Sequence, residues 1–200
     1  MKNKSRGLKT KGERVMIFID GSNFYHSVKD TFGLFPGEIE NTEVFRKLSE
    51  FLKGDRMLIR ICYYNAPLDI KYNKEIYSKQ QSFLDRLNNV PGFKVIRCRL
   101  RKIEKDDGKV EYRVKGDDIK LTVDMLSDAY EDQYDTAVIV SGDGDFKPLV
   151  DKVRKLGKKV ENAYLPISRS AALSKACNKS YSLEEFLVKV FSGKNNEKDN

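Results

Sequence analysis

The chain has 200 residues, 40% of them hydrophobic and 34% charged, with a formal net charge of +8. That length suits one domain with a sizeable core, and no apolar run approaches the ~20 residues of a membrane span. The basic opening (Lys2, Lys4, Arg6, Lys9, Lys11) lacks the apolar segment of a secretory signal, so a cytoplasmic protein is expected.

Cys62, Cys98 and Cys177 are scattered, which argues against a disulfide framework or a zinc site. The single His26 cannot supply an imidazole-rich metal centre. The excess positive charge fits a polyanionic partner.

Residues 1–13 are expected to form a flexible basic arm, 14–192 one domain, and 193–200 a disordered tail. Val15 to Ile19 is apolar throughout and predicts a buried strand ending in Asp20-Gly21-Ser22-Asn23. Ser22 or Asn23 is placed to cap a helix towards Asp30. A loop over Phe32 to Asn41 leads to a helix capped by Thr42, with Val44, Phe45, Leu48, Phe51 and Leu52 at helical spacing and Gly54 at its end. Met57 to Tyr64 predicts a second strand. A polar helix from about Lys71 to Asn88 carries a thin stripe of Ile76, Phe83, Leu84 and Leu87.

Phe93 to Ile103 alternates with period two, placing Ile96, Cys98 and Leu100 on one face and Arg97, Arg99 and Arg101 on the other. After Asp106-Asp107-Gly108 the chain returns as Lys109 to Lys115. A two-residue turn would set Arg101 opposite Val114 and mix the faces. A three-residue loop sets Leu100 opposite Val114, Arg101 beside Arg113 and Arg99 beside Lys115, and keeps one face apolar. A hairpin with a basic stripe of Arg97, Arg99, Arg101, Arg113 and Lys115 is therefore expected to bind substrate.

Asp117 to Tyr130 predicts a helix. At about 100° per residue its inward arc holds Ile119, Leu121, Met125, Leu126 and Ala129, with Asp118 at the centre and Asp117, Asp124 and Asp128 on the flank. Val138, Ile139 and Val140 then read as a strand buried on both faces. It stops at Ser141-Gly142, and Asp143 and Asp145 follow at once; Gly142 and Gly144 are read as freedom to turn. Pro148 suits the first turn of a helix that Gly157 closes. Lys159 to Leu165 predicts a further strand, about Ser170 to Cys177 a short helix, and Leu183 to Phe191 a last amphipathic one. Alternating strands and helices imply an α/β fold, a mostly parallel sheet with helices on both faces and one basic hairpin.

Ligands of such sheets sit outside the carboxyl ends of the strands, where Asp20 and Asp143 fall and Asp145 lies just beyond. Asp118 opens the helix directly before that second strand and is the best candidate for a further ligand. Carboxylates without imidazole or thiolate suit a hard cation, Mg²⁺ or Mn²⁺. Such an ion activates water and stabilises the oxygens of a phosphodiester displacement. Ser141 either binds a metal-bound water or fills its turn.

These residues resemble a family. Ile17-Phe18-Ile19-Asp20-Gly21-Ser22-Asn23 is similar to the I-D-x-x-N opening of NYN domains, PIN-like nucleases that include the LabA-like group. Lys115-Gly116-Asp117-Asp118-Ile119, with Leu121 and Asp124, resembles their K-G-x-D-v-x-L-x-x-D segment, and Ser141 to Phe146 their S-G-D-x-D-F. The resemblance implies a PIN-like three-layer sandwich and metal-dependent endoribonuclease activity on RNA. By position, Asp20, Asp118, Asp143 and Asp145 would be catalytic and bind metal, Asp117 and Asp124 more weakly. Asn23 would orient an acid or a substrate phosphate. Asn178 stands where relatives often carry aspartate.

No membrane partner is implied, and a homodimer is left open. A non-catalytic RNA-binding regulator with the same fold is the alternative, since some relatives are known chiefly as regulators. A phosphatase ranks low, because Asp20 lacks a second aspartate two residues on.

Overall fold

The computed structural model describes residues 12–34, 36–65, 74–104 and 110–192, with the backbone alone for 99–104 and 110–115. In chain order the strands are β1 (Arg14–Asp20), β2 (Met57–Asn65), β3 (Phe93–Arg97), β4 (Arg99–Glu104), β5 (Val110–Lys115), β6 (Thr136–Val140), β7 (Lys159–Tyr164) and β8 (Lys179–Ser182). The helices are α1 (Gly21–Phe32), α2 (Pro36–Ile39), α3 (Thr42–Lys53), α4 (Lys74–Asn88), α5 (Asp117–Tyr130), α6 (Lys147–Lys155), α7 (Ala171–Ala176) and α8 (Glu184–Ser192). Single 3₁₀ turns lie at Gly144–Phe146 and Pro166–Ser168.

Six strands form one sheet in the order β3-β2-β1-β6-β7-β8, and every pairing in it is parallel. Period-two alternation divides each inner strand between two cores. Val15, Ile17 and Ile19 enter the core covered by α1, α3, α4 and α8, while Met16 and Phe18 enter the one covered by α5, α6 and α7. The result is a three-layer α/β sandwich, a parallel sheet between two helical layers, as expected. The chain winds outward from β1 to β2 and β3, then returns to β6 on the other side of β1. The gap between β1 and β6 is thus the topological switch point, where open α/β sheets bind ligands.

The hairpin pairs Arg99 with Lys115, Leu100 with Val114 and Arg101 with Arg113, the register that face patterning requires. Its turn at 105–109, most of the expected N-terminal arm and the whole C-terminal tail lie outside the described residues. Glu13, assigned to the arm, is tied down: its carboxylate accepts from Thr136 Oγ1 at 2.6 Å and Lys159 Nζ at 3.1 Å.

Several expectations are corrected. The expected strand over Phe93 to Ile103 is interrupted at Cys98, whose N–H still bonds Asn65 O at 2.8 Å in the main sheet. Arg97 therefore belongs to β3, with its guanidinium on Asp85 of α4, and not to the hairpin stripe. Helix α3 is capped by the Asn41 side chain rather than by Thr42. Phe51 lies exposed and stacks on Phe186 of α8 at 4.5 Å. β8 was not expected from the sequence, because in the short edge segment Lys-Ser-Tyr-Ser only Tyr181 packs against the core. Among the described residues, no helix is long and apolar enough to cross a membrane.

Candidate active site

The site grows from the ends of β1 and β6. Asp20 closes β1 and caps α1, its Oδ1 accepting the Asn23 N–H at 3.0 Å, a role expected of Ser22 or Asn23. Gly21 follows because α1 starts hard against β2: a Cβ there would stand 2.5 Å from Tyr64 O. Asn23 spans the switch point instead, its Oδ1 accepting the Gly142 N–H at 2.9 Å and facing Ser168 Oγ at 3.4 Å.

Ser141 hydroxyl donates to Asp20 Oδ2 at 2.9 Å and accepts the Asp143 N–H at 3.1 Å. Asp143 Oδ1 in turn accepts the Asp145 N–H at 2.9 Å and caps the 3₁₀ turn. Asn162, buried on β7, holds Ser141 O at 2.8 Å. Both motif aspartates are therefore caps, and each also belongs to one web joining two strand ends.

The glycines of Ser-Gly-Asp-Gly-Asp serve a different purpose from the one expected. Neither has a positive φ. A Cβ on Gly142 would stand 2.1 Å from Ser168 O, and one on Gly144 would stand 2.8 Å from Ser170 Oγ. They are small so that the segment around Pro166–Ser168 can seat directly on the motif.

These elements surround a cleft of about 540 Å³. Asp20 and Asp143 lie on its floor, Asp117 and Asp118 come from α5, and Ser22, Asn23, His26, Ser27 and Asp30 come from α1. Ile167 and Ser168 complete the wall. The described lining includes five carboxylates and no lysine or arginine.

The electrostatics reflect that crowding. Asp20 is 4% exposed, and burial pushes its carboxyl up to about 7, with Asp118 and Asp117 adding repulsion against the bonds from Asn23 and Ser141. Asp118 is raised to about 6 by partial desolvation and by the charges of Asp117, Asp143 and Asp145.

Asp118, Asp143 and Asp20 thus share one cleft. Asp145 is exposed and does not line it, though its charge reaches Asp118. The inward arc of α5 is rotated from the expected one: Asp117, Leu121, Met125 and Ala129 are buried, while Ile119 is 66% exposed and Asp118 opens to solvent. Including Ile119 drew the expected arc too far round the helix. Asp117, at 8% exposure, is the buried acid of this helix. Asp124 points elsewhere, accepting the Tyr64 hydroxyl at 2.9 Å.

Tyr63 and Tyr64 are core residues, and Tyr72 lies outside the described residues. The side chains of Arg99, Arg101, Arg113 and Lys115 also lie outside the description. Asn178 sits at the opposite end of the sheet, its Oδ1 accepting the Val160 N–H at 2.9 Å. Sequence reasoning missed Asn162, Ser168, Ile167 and Asp30. Only Asp30 left a signal, through its helical spacing from Ser22 and His26.

Among the described residues, no three acids, imidazoles or thiols converge closely enough to ligate one ion. The donor set nevertheless fits a hard divalent cation. Mg²⁺ characteristically keeps several waters and takes one or two protein carboxylates plus substrate oxygens, and here oxygen donors carry unrelieved negative charge.

The NYN domain family model matches residues 14–184, so the chain belongs to this family of PIN-like nuclease domains. Comparison with curated proteins gave no match. Among solved structures, the chain is similar to a crystal structure of a protein of unknown function from Vibrio parahaemolyticus RIMD 2210633. The TM-score is 0.60 at 20% identity, covering 88% of this chain and 96% of that one. At that identity the likeness shows the fold alone.

Proposed function

We propose that the protein is a Mg²⁺- or Mn²⁺-dependent endoribonuclease that hydrolyses RNA phosphodiester bonds at this cleft. The observation that carries the reading is the gathering of Asp20, Asp118 and Asp143 at the switch point, with two of the three carboxyls raised towards neutrality. Asp118 and Asp143 are the open carboxylates that would hold the ion, with Asp20 beneath them. When bound, the ion supplies a water acidic enough to act as nucleophile and charge to stabilise the leaving oxygen.

The residues themselves supply position. Ser141 holds Asp20 in one orientation, and Asn23 locks the β1 and β6 ends together. The capping bond from the Asp145 N–H holds the Asp143 carboxylate over its own turn. Asp145 contributes field rather than contact, and Asp117 a buried charge that keeps Asp118 basic. The hairpin, entering α5 just before Asp117, is the route by which a phosphate backbone approaches.

The test is cleavage of labelled RNA with Mn²⁺ by wild type and by Asp118→Asn. Loss of at least about a hundredfold in rate with unchanged folding is expected, the scale of a lost charge-stabilising group. Undiminished cleavage by the variant would refute the assignment.

A further inference from the structure

We propose that Ile167 and Arg169 form a substrate lip for single-stranded RNA beside the acidic cleft. Ile167 covers a nucleobase next to the scissile phosphate, and Arg169 binds a neighbouring phosphate. The proposal rests on the nuclease reading of the cleft.

A polyphosphate entering a cleft lined by carboxylates needs a cation at its rim. Lys147, near Asp145, is engaged with Asp151 at 2.6 Å, and Lys120, near Asp118, donates to Arg97 O at 2.7 Å. Arg169 directly follows the lining residue Ser168 and has no carboxylate partner among the described residues. Its guanidinium lies 5.3 Å from the Tyr164 ring centroid, with Nε 3.5 Å from Ser174 Oγ. A cation–π contact of this kind holds the guanidinium beside the ring and leaves its terminal N–H groups available to phosphate oxygens.

Ile167 is 59% exposed on the cleft wall. A β-branched apolar side chain at the edge of an acidic cleft is suited to the flat face of an unstacked base, and duplex bases present no such face.

The lip is also fixed in advance. Ser168 packs so closely on Gly142 that a Cβ there would stand 2.1 Å from Ser168 O, Ser168 Oγ faces Asn23 Oδ1 at 3.4 Å, and Arg169 N–H donates to Pro166 O at 3.3 Å. A preset lip loses little entropy on binding. It also ties substrate position to the strand ends that carry Asp20 and Asp143.

The experiment uses the full chain with a fluorescent single-stranded RNA, binding read by anisotropy in Ca²⁺ and cleavage in Mn²⁺. The variants are Arg169→Ala, Arg169→Lys and Ile167→Ala, all at exposed positions, with folding checked by circular dichroism. Ile167→Ala is expected to weaken binding about five- to tenfold through lost apolar burial, and Arg169→Ala by a similar factor through one lost phosphate contact, each raising KM with kcat within about twofold. Arg169→Ala should also lower the salt slope of binding by about 0.7, the value of one phosphate contact on a single strand. Ile167→Ala should leave that slope unchanged, and Arg169→Lys should restore the slope but only part of the affinity.

Variants that bind and cleave as wild type, while wild type cleaves, overturn the lip and leave the nuclease standing. Wild type that binds without cleaving overturns the nuclease, and the binding measurements alone then decide the lip. Absence of RNA binding overturns both.

Discussion

Replacing Asp20 by asparagine should stabilise the metal-free protein at alkaline pH while destroying its proposed chemistry. The Asp20 carboxyl rises from 3.8 to about 7 in the folded protein, so between those values the native state keeps a proton that the unfolded chain has released. Stability from this group is therefore greatest below about pH 4, falls as pH rises towards 7, and is flat above. At about 1.36 kcal/mol per pH unit the full loss is on the order of 4 kcal/mol, an upper figure because a charged Asp20 can draw in water.

Asparagine keeps the oxygen that accepts the Asn23 N–H but carries no charge to desolvate. Urea unfolding with EDTA at pH 5 and pH 8 measures the difference. Wild type should lose more stability over that interval than Asp20→Asn, and Asp20→Asn should exceed wild type at pH 8. Equal pH dependence in the two proteins would refute the burial argument.

Gly142→Ala forces a Cβ to 2.1 Å from the Ser168 carbonyl oxygen, a backbone atom. Overpacking of this kind typically costs ~1–3 kcal/mol, and a thermal melt should show it as a drop of several degrees. Gly144→Ala meets only the Ser170 hydroxyl, at 2.8 Å, and should cost clearly less; equal costs would contradict the seating of that segment. Asn23→Ala removes the acceptor of the Gly142 N–H and should cost about 1–3 kcal/mol of stability, read as a lower melting temperature, and slow cleavage as well. Asp145→Asn should slow cleavage much less than Asp118→Asn, because Asp145 stands outside the cleft, and the ratio of the two rates checks this.

The fold was legible where burial imposes a pattern. The two-sided apolar runs at Val15 to Ile19 and Val138 to Val140 specify buried parallel strands, and the hairpin register followed from keeping Leu100 and Val114 on one face. Asp20 and Asp143 were legible because strand-end carboxylates converge at a sheet edge whatever the loops do, and Asp118 because it lies in the first turn of the helix that leads into β6.

What was not legible depends on contacts distant in sequence. The smallness of Gly142 answers to Ser168, and Ser141 is held by Asn162. The helix phase that buries Asp117 rather than Ile119 is set by how α5 lies on the sheet, and an exposed isoleucine misleads any count of apolar residues. β8 is an edge strand formed by pairing with β7 rather than by its own composition.

The most direct test of the central claim is cleavage of mixed RNA and DNA substrates by the full chain with Mn²⁺, with EDTA, and by Asp143→Asn. The account expects RNA cleavage with Mn²⁺, none with EDTA, and a loss of about a hundredfold or more in the variant. Cleavage that persists in Asp143→Asn, or RNA binding with no cleavage under either Mg²⁺ or Mn²⁺, would contradict it.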